Sequence, residues 1–148
     1  MKVFVDASVL FSAVISLTGA SRELLRYAVS GKVSLVVSPY VLVEVENNLA
    51  QKAPLNAYRF EQIKSVVDFE VVQPTQAAVE AAAQYTVQKD APVVAAAKRA
   101  DCSYLTTYDR RHLIDPPEVA AKSGLEILTP DKILEVIRQQ TEEEHDDQ

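Results

Sequence analysis

Asp6 closes the first apolar run of the chain, Lys2-Val3-Phe4-Val5-Asp6. A run this apolar reads as the centre of a buried sheet, so a carboxylate at its far end needs a reason. Asp109 ends a similar run, Tyr104-Leu105-Thr106-Thr107-Tyr108-Asp109. Two strands that deliver carboxylates to their carboxyl ends are how an α/β sheet builds a cation site. The pair points to metal-dependent chemistry, with nuclease activity as the form to expect.

Each acid also has a purely structural reading. Asp6 could cap the helix that begins at Ala7, and Asp109 could be a loop acid. Asp90 precedes Ala91-Pro92 and is a natural N-cap, so local sequence leaves capping and metal binding open. Glu44 lies in Val41-Leu42-Val43-Glu44-Val45-Glu46. A buried stripe of Val41, Leu42, Val45 and Leu49 puts Glu44 and Glu46 on its two flanks, and helical geometry does not separate them. Asp101 precedes the fourth strand, at the opposite end from Asp109, and reads as a turn residue. Of the two histidines, His145 lies in the acidic terminus, and His112 is near enough to Asp109 to reach a substrate phosphate, though a surface position is its ordinary role. Oxygen ligands with neither histidine nor thiolate at the site select Mg²⁺ or Mn²⁺ over zinc. Arg110 and Arg111 directly follow Asp109 and are candidates to grip phosphate, with Lys98 and Arg99 as weaker ones.

These residues need a scaffold. Five β-rich runs occur at residues 2–5, 33–37, 69–72, 103–106 and 126–128. Helical patterns lie between them. Leu24, Leu25 and Ala28 share one face. Ser38-Pro39 and Thr129-Pro130 are N-cap and first-turn signals. Thr75 caps an alanine-rich helix expected to reach Val87, and Asp90 opens another through Ala100. Strands alternating with helices give a three-layer α/β/α sandwich with a five-stranded, mainly parallel sheet. No repeat or composition shift marks a second domain, so residues 1–140 read as one domain and 141–148 as a disordered acidic tail.

Composition agrees. The 148 residues are 48% apolar and 24% charged, which suits one globular domain. No apolar stretch nears the ~20 residues of a membrane span. The start of the chain shows no signal-peptide pattern, and the single cysteine, Cys102, cannot pair within the chain; both fit a cytoplasmic protein. The net charge of −6 is unusual for a nucleic-acid binder, but five acids fall within the last eight residues, and the rest is near neutral. Rival Asp-based folds fit poorly. Ser8 stands where a haloacid-dehalogenase phosphatase needs a second Asp, Val71-Val72-Gln73 offers no receiver-domain acceptor, and three scattered glycines build no phosphate loop.

Together these segments resemble the PIN-domain nucleases, which include the VapC-type toxins of toxin–antitoxin pairs. Val-Asp-Ala-Ser-Val-Leu resembles the first family motif, at Asp6 and Ser8. Ser-Pro-Tyr-Val-Leu-Val-Glu resembles the second, which selects Glu44 over Glu46. Asp-Ala-Pro-Val-Val-Ala-Ala-Ala resembles the third, at Asp90, and Leu-Thr-Thr-Tyr-Asp the fourth, at Thr107 and Asp109. Many members carry Asn where this chain has Ser8. The resemblance implies a sheet ordered 3-2-1-4-5, with Asp6, Glu44, Asp90 and Asp109 as metal-binding and catalytic acids. Ser8, Thr107, Arg110 and Arg111 would then serve substrate binding. It further implies an Mg²⁺- or Mn²⁺-dependent endoribonuclease with an RNA substrate, a homodimer, and a small antitoxin partner. The alternative is a catalytically silent PIN-like module that binds RNA or protein.

Overall fold

In the computed structural model, which describes residues 1–146, Val3, Phe4 and Val5 are all fully buried. Successive strand residues face opposite sides, so β1 (Lys2–Val5) is covered on both faces. Its neighbours are β2 (Ser34–Val37) and β4 (Tyr104–Thr106), with β3 (Glu70–Val71) and β5 (Glu126–Leu128) at the edges. All pairings are parallel and the order is β3-β2-β1-β4-β5, as expected. Helices surround the sheet: α1 (Ala7–Ile15), α2 (Ala20–Val29), α3 (Pro39–Lys52), α4 (Ala57–Val66), α5 (Gln76–Ala82), α6 (Ala91–Arg99), α7 (Pro117–Ser123) and α8 (Pro130–Asp146).

The helix starts follow the local chemistry. Ser38 Oγ accepts from the Val41 amide at 3.2 Å and Pro39 opens α3. Thr75 Oγ1 accepts from the Ala78 amide at 3.1 Å to open α5. That helix stops at Ala82 rather than Val87. The amides of Gln84, Tyr85 and Thr86 turn back to the carbonyls of Ala81 and Ala82, which frees the chain to enter α6. Helix α7 is also new to the structure, because Pro116-Pro117 reads as a loop although Pro117 fits a first turn. It ends at Gly124, whose φ of 78° is the left-handed conformation of a helix stop.

The last helix departs from expectation as well. It runs to Asp146 instead of ending near Gln140 in a disordered tail; residues 147–148 lie outside the described residues. Ile133, Leu134 and Ile137 anchor it in the core, and the following Glu- and Gln-rich stretch has good helix propensity with no Gly or Pro to stop it. Cys102 is buried, and burial pushes its thiol up to about 12, so it is the inert core residue its position suggests. No single helix among the described residues is long and apolar enough to cross a membrane.

Candidate metal centre

Parallel pairing sets the first two acids side by side. Val5 is in register with Thr106, and the Asp6 amide extends the ladder to the Thr106 carbonyl at 3.1 Å. Asp6 and the Thr107-Tyr108-Asp109 corner therefore emerge at the same carboxyl edge, where open α/β sheets bind ligands.

Asp6 does two things at once. Its Oδ1 accepts from the Ala7 amide at 2.8 Å, at the start of α1. Its Oδ2 accepts from Thr107 Oγ1 at 2.7 Å and from Ser8 Oγ at 3.4 Å. The two hydroxyls also connect the strands to the corner. Ser8 Oγ accepts from the Tyr108 amide at 3.1 Å, and Thr107 Oγ1 accepts from the Asp109 amide at 3.0 Å. Ser8 and Thr107 are thus placed to orient Asp6 and Asp109. Burial raises the Asp6 pKa and the nearby Asp109 charge adds to this, while the bonds from Thr107, Ala7 and Ser8 oppose it.

Asp90 precedes α6, but its side chain makes no capping hydrogen bond. The capping explanation therefore fails for its carboxylate. The residue is only 7% exposed, and its Oδ2 is buried without a hydrogen-bond partner. Burial, then the charges of Asp109 and Asp6, push its pKa up to about 6, against a lowering influence from Lys89. A buried carboxylate with an unpartnered oxygen beside other acids is what a cation or a proton would satisfy.

Glu44 and Glu46 separate cleanly in the structure. Glu46 is exposed and pairs with Lys64 of α4 at 3.4 Å. Glu44 is half-buried, and burial followed by the Asp6 charge raises its pKa. Glu44 therefore belongs to the acidic edge and Glu46 does not.

The structure corrects the reading of His112. It lies in a π-helical turn, Arg110–Ile114, that follows Asp109. Its amide donates to Asp109 Oδ1 at 3.0 Å, and its Nδ1 lies 3.3 Å from Asp109 Oδ2. Among the described residues, ligand atoms of Asp90, Asp109 and His112 all fall within 4.8 Å of one another. Asp6 is close enough for its charge to act on Asp90 and to feel that of Asp109, and Glu44 in turn feels the charge of Asp6. The only sequence signal was spacing: His112 is three residues from Asp109, a distance that matters once the chain turns there.

The bases divide too. Arg110 and Arg111 are exposed in the same π-helical turn, and Arg111 shares with His112 a shallow cavity of about 390 Å³. Lys98 and Arg99 sit at the far end of α6, which runs back to the opposite edge of the sheet. There the next residue, Ala100, accepts from Lys2 Nζ at 2.7 Å, so neither base is near the acids. Lys89, which the sequence reading passed over, is the cation whose charge reaches both Asp90 and Glu44.

The PIN-domain family model matches residues 2–111, a span that contains all four acids and both arginines. No curated protein sequence matches the chain significantly. Solved structures share the fold at low identity. PAE2754 from Pyrobaculum aerophilum superposes with a TM-score of 0.64 at 18% identity, covering 94% of this chain and 90% of its own. A chain of VapBC2 from Rickettsia felis, solved with a promoter DNA fragment, gives 0.62 at 12% identity over 86% and 97%. VapC20 from Mycobacterium tuberculosis, described as a sarcin-ricin loop cleaving toxin, gives 0.52 at 20% identity over 74% and 91%. With a family match over most of its length and the family's sheet order in its fold, the chain belongs to the PIN-domain family.

Proposed function

We propose that this protein is an Mg²⁺- or Mn²⁺-dependent endoribonuclease that acts in the cytoplasm as the toxin of a toxin–antitoxin pair. One observation carries the reading: the buried Asp90 carboxylate has an unpartnered oxygen, caps nothing, and faces Asp109. The donor set fits a hard divalent cation, because carboxylate oxygens are its preferred ligands. Asp6, Asp90 and Asp109 would hold it, with Glu44 adding negative charge at the rim. When bound, such a cation supplies an acidified water and a counter-charge for the phosphodiester.

The remaining roles fall to the chain itself. Thr107 and Ser8 keep Asp6 in one orientation, and the His112 amide does the same for Asp109. Arg110 and Arg111 are exposed beside the acids and would hold the phosphates that flank the scissile bond. So few bases give modest nonspecific affinity, which favours recognition of RNA by shape and by single-stranded loops.

The direct test is incubation of the purified protein with mixed RNA and Mg²⁺ or Mn²⁺, with EDTA as control. Internal cleavage that EDTA stops is the expected result. Metal binding without cleavage would instead favour a silent RNA-binding module. The rim acid gives a sharper expectation. Glu44→Gln should slow cleavage by about tenfold or more, while Glu46→Gln should change it by less than about twofold. The reverse order would remove Glu44 from the site.

Two partners complete the proposal. Light scattering at micromolar concentration should give a dimer mass; a monomer would contradict the homodimer. For the antitoxin, Leu17, Val29, Tyr58 and Val66 line an apolar groove of about 760 Å³ between α2 and α4. Arg22, Arg26 and Arg59 also line it, which suits an acidic amphipathic segment. Co-expression with the product of a neighbouring small reading frame should yield a stable complex that Val66→Asp breaks. A complex indifferent to that change would place the partner elsewhere.

A further inference from the structure

His112 owes its position to the turn that carries it. The amides of Leu113 and Ile114 both return to the Asp109 carbonyl, at 3.3 and 3.2 Å, and Leu113 is fully buried. This pins a π-helical turn immediately after a candidate ligand, and such turns recur at functional sites. The His112 side chain is 30% exposed, so the ring has room to turn on its own bonds while the backbone stays fixed.

A second observation is independent of the turn. Asp90, on the other side of the group, is 7% exposed and carries an unpartnered buried oxygen. One nitrogen donor and two carboxylates within 4.8 Å of one another make a mixed donor set. Mg²⁺ favours oxygen donors and holds its waters, whereas first-row transition ions accept imidazole.

We propose that His112 supplies a nitrogen ligand to the cation held by Asp90 and Asp109, and that this donor makes the centre prefer Mn²⁺ to Mg²⁺. The proposal rests on the metal-centre reading above and adds to it a residue and an ion preference. It also separates ligation from mere positioning. A histidine that only braced Asp109 would serve both ions equally and would place no nitrogen on the metal.

The test is calorimetric titration of Mn²⁺ and of Mg²⁺ into the full-length protein and its His112→Ala, His112→Gln and Asp90→Asn variants. Pulsed electron paramagnetic resonance of the Mn²⁺-loaded samples is the second readout. The wild type should bind Mn²⁺ more tightly and show nitrogen modulation from a bound imidazole. His112→Ala should weaken Mn²⁺ binding by about tenfold or more, change Mg²⁺ by less than about threefold, and remove the nitrogen signal. His112→Gln keeps a hydrogen-bond donor towards Asp109 and should behave like His112→Ala. Equal losses for both ions, or a nitrogen signal that survives in both variants, would overturn the proposal. Unchanged binding in the His112 variants, with loss only in Asp90→Asn, would overturn this proposal and leave the metal centre standing. Failure of either ion to bind the wild type would overturn both.

Discussion

Replacing Asp90 by asparagine is expected to abolish cleavage while raising the melting temperature of the metal-free protein. The two effects share one cause. At neutral pH the Asp90 carboxylate is ionised in a buried place beside Asp109 and Asp6, and its pKa of about 6 shows that the folded state resists this charge. The unfolded chain imposes no such cost. Between the ordinary value of 3.8 and about 6 the folded state holds more protons than the unfolded one. The contribution to stability is therefore fully present below 3.8 and is lost as pH rises through about 6. Burial raises Asp6 and Glu44 in the same direction. Asparagine keeps the shape and removes the charge, which should stabilise the metal-free protein by about 1–3 kcal/mol at neutral pH, or several degrees in Tm. Cleavage should fall by about a hundredfold or more, because a ligand is gone. Calorimetric melts at pH 5 and 7.5, with and without Mn²⁺, check this. Metal-free wild type should melt lower at pH 7.5 than an Asp90→Asn variant does, and the gap should close at acid pH. In the wild type, the rise in Tm caused by Mn²⁺ should grow with pH, since ligands must lose their protons to bind. A variant less stable than wild type at pH 7.5 would show that Asp90 stabilises the fold by itself.

Thr107→Val should be damaging for the opposite reason. Thr107 is fully buried, and its hydroxyl donates to Asp6 at 2.7 Å while accepting from the Asp109 amide at 3.0 Å. Valine matches the volume but satisfies neither partner. The buried Asp6 oxygen and the Asp109 amide would each lose a bond, at about 1–3 kcal/mol together. Cleavage should drop by about tenfold or more, because Asp6 and Asp109 lose the hydroxyl that sets their mutual orientation. Thr107→Ser should restore most of both. Melting temperature and initial cleavage rate in the two variants distinguish this from a packing effect: a packing effect would spare the isosteric Thr107→Val and impair Thr107→Ser, which loses the methyl group.

The strand ends were the legible part of the site. An apolar run closed by an acid needs no tertiary information, and Asp6 and Asp109 could be paired from that pattern alone. The sheet order could not, because which strands become neighbours depends on the crossovers; it came from the family resemblance. Asp90 is intermediate. Local sequence offers it a capping role, and only the geometry shows that its carboxylate caps nothing. Helical geometry did not separate Glu44 from Glu46 and only the family resemblance selected Glu44, since the physical distinction is made by Lys64 on another helix, which takes up Glu46.

His112 was hidden by its backbone. A π-helical turn leaves no mark in hydrophobic periodicity, so only the three-residue spacing from Asp109 hinted that the imidazole would fold back on it. Lys98 and Arg99 failed for a plainer reason. They are the last two residues of a helix that starts at the acidic edge, and a helix antiparallel to the strands carries its last turn away from that edge. Helix α7 was masked by the prolines that open it, and the acidic terminus by its charge, which suggests disorder although its residues are good helix formers.

Asp6, Asp90 and Asp109 are expected to share one bound cation. Crystals grown with MnCl₂ and measured at a wavelength where manganese scatters anomalously test it most directly. A strong anomalous peak bounded by Asp6, Asp90 and Asp109 is expected, and it should be absent from Asp90→Asn crystals. A well-ordered wild-type map with no peak there, or with manganese bound only elsewhere on the surface, would contradict it.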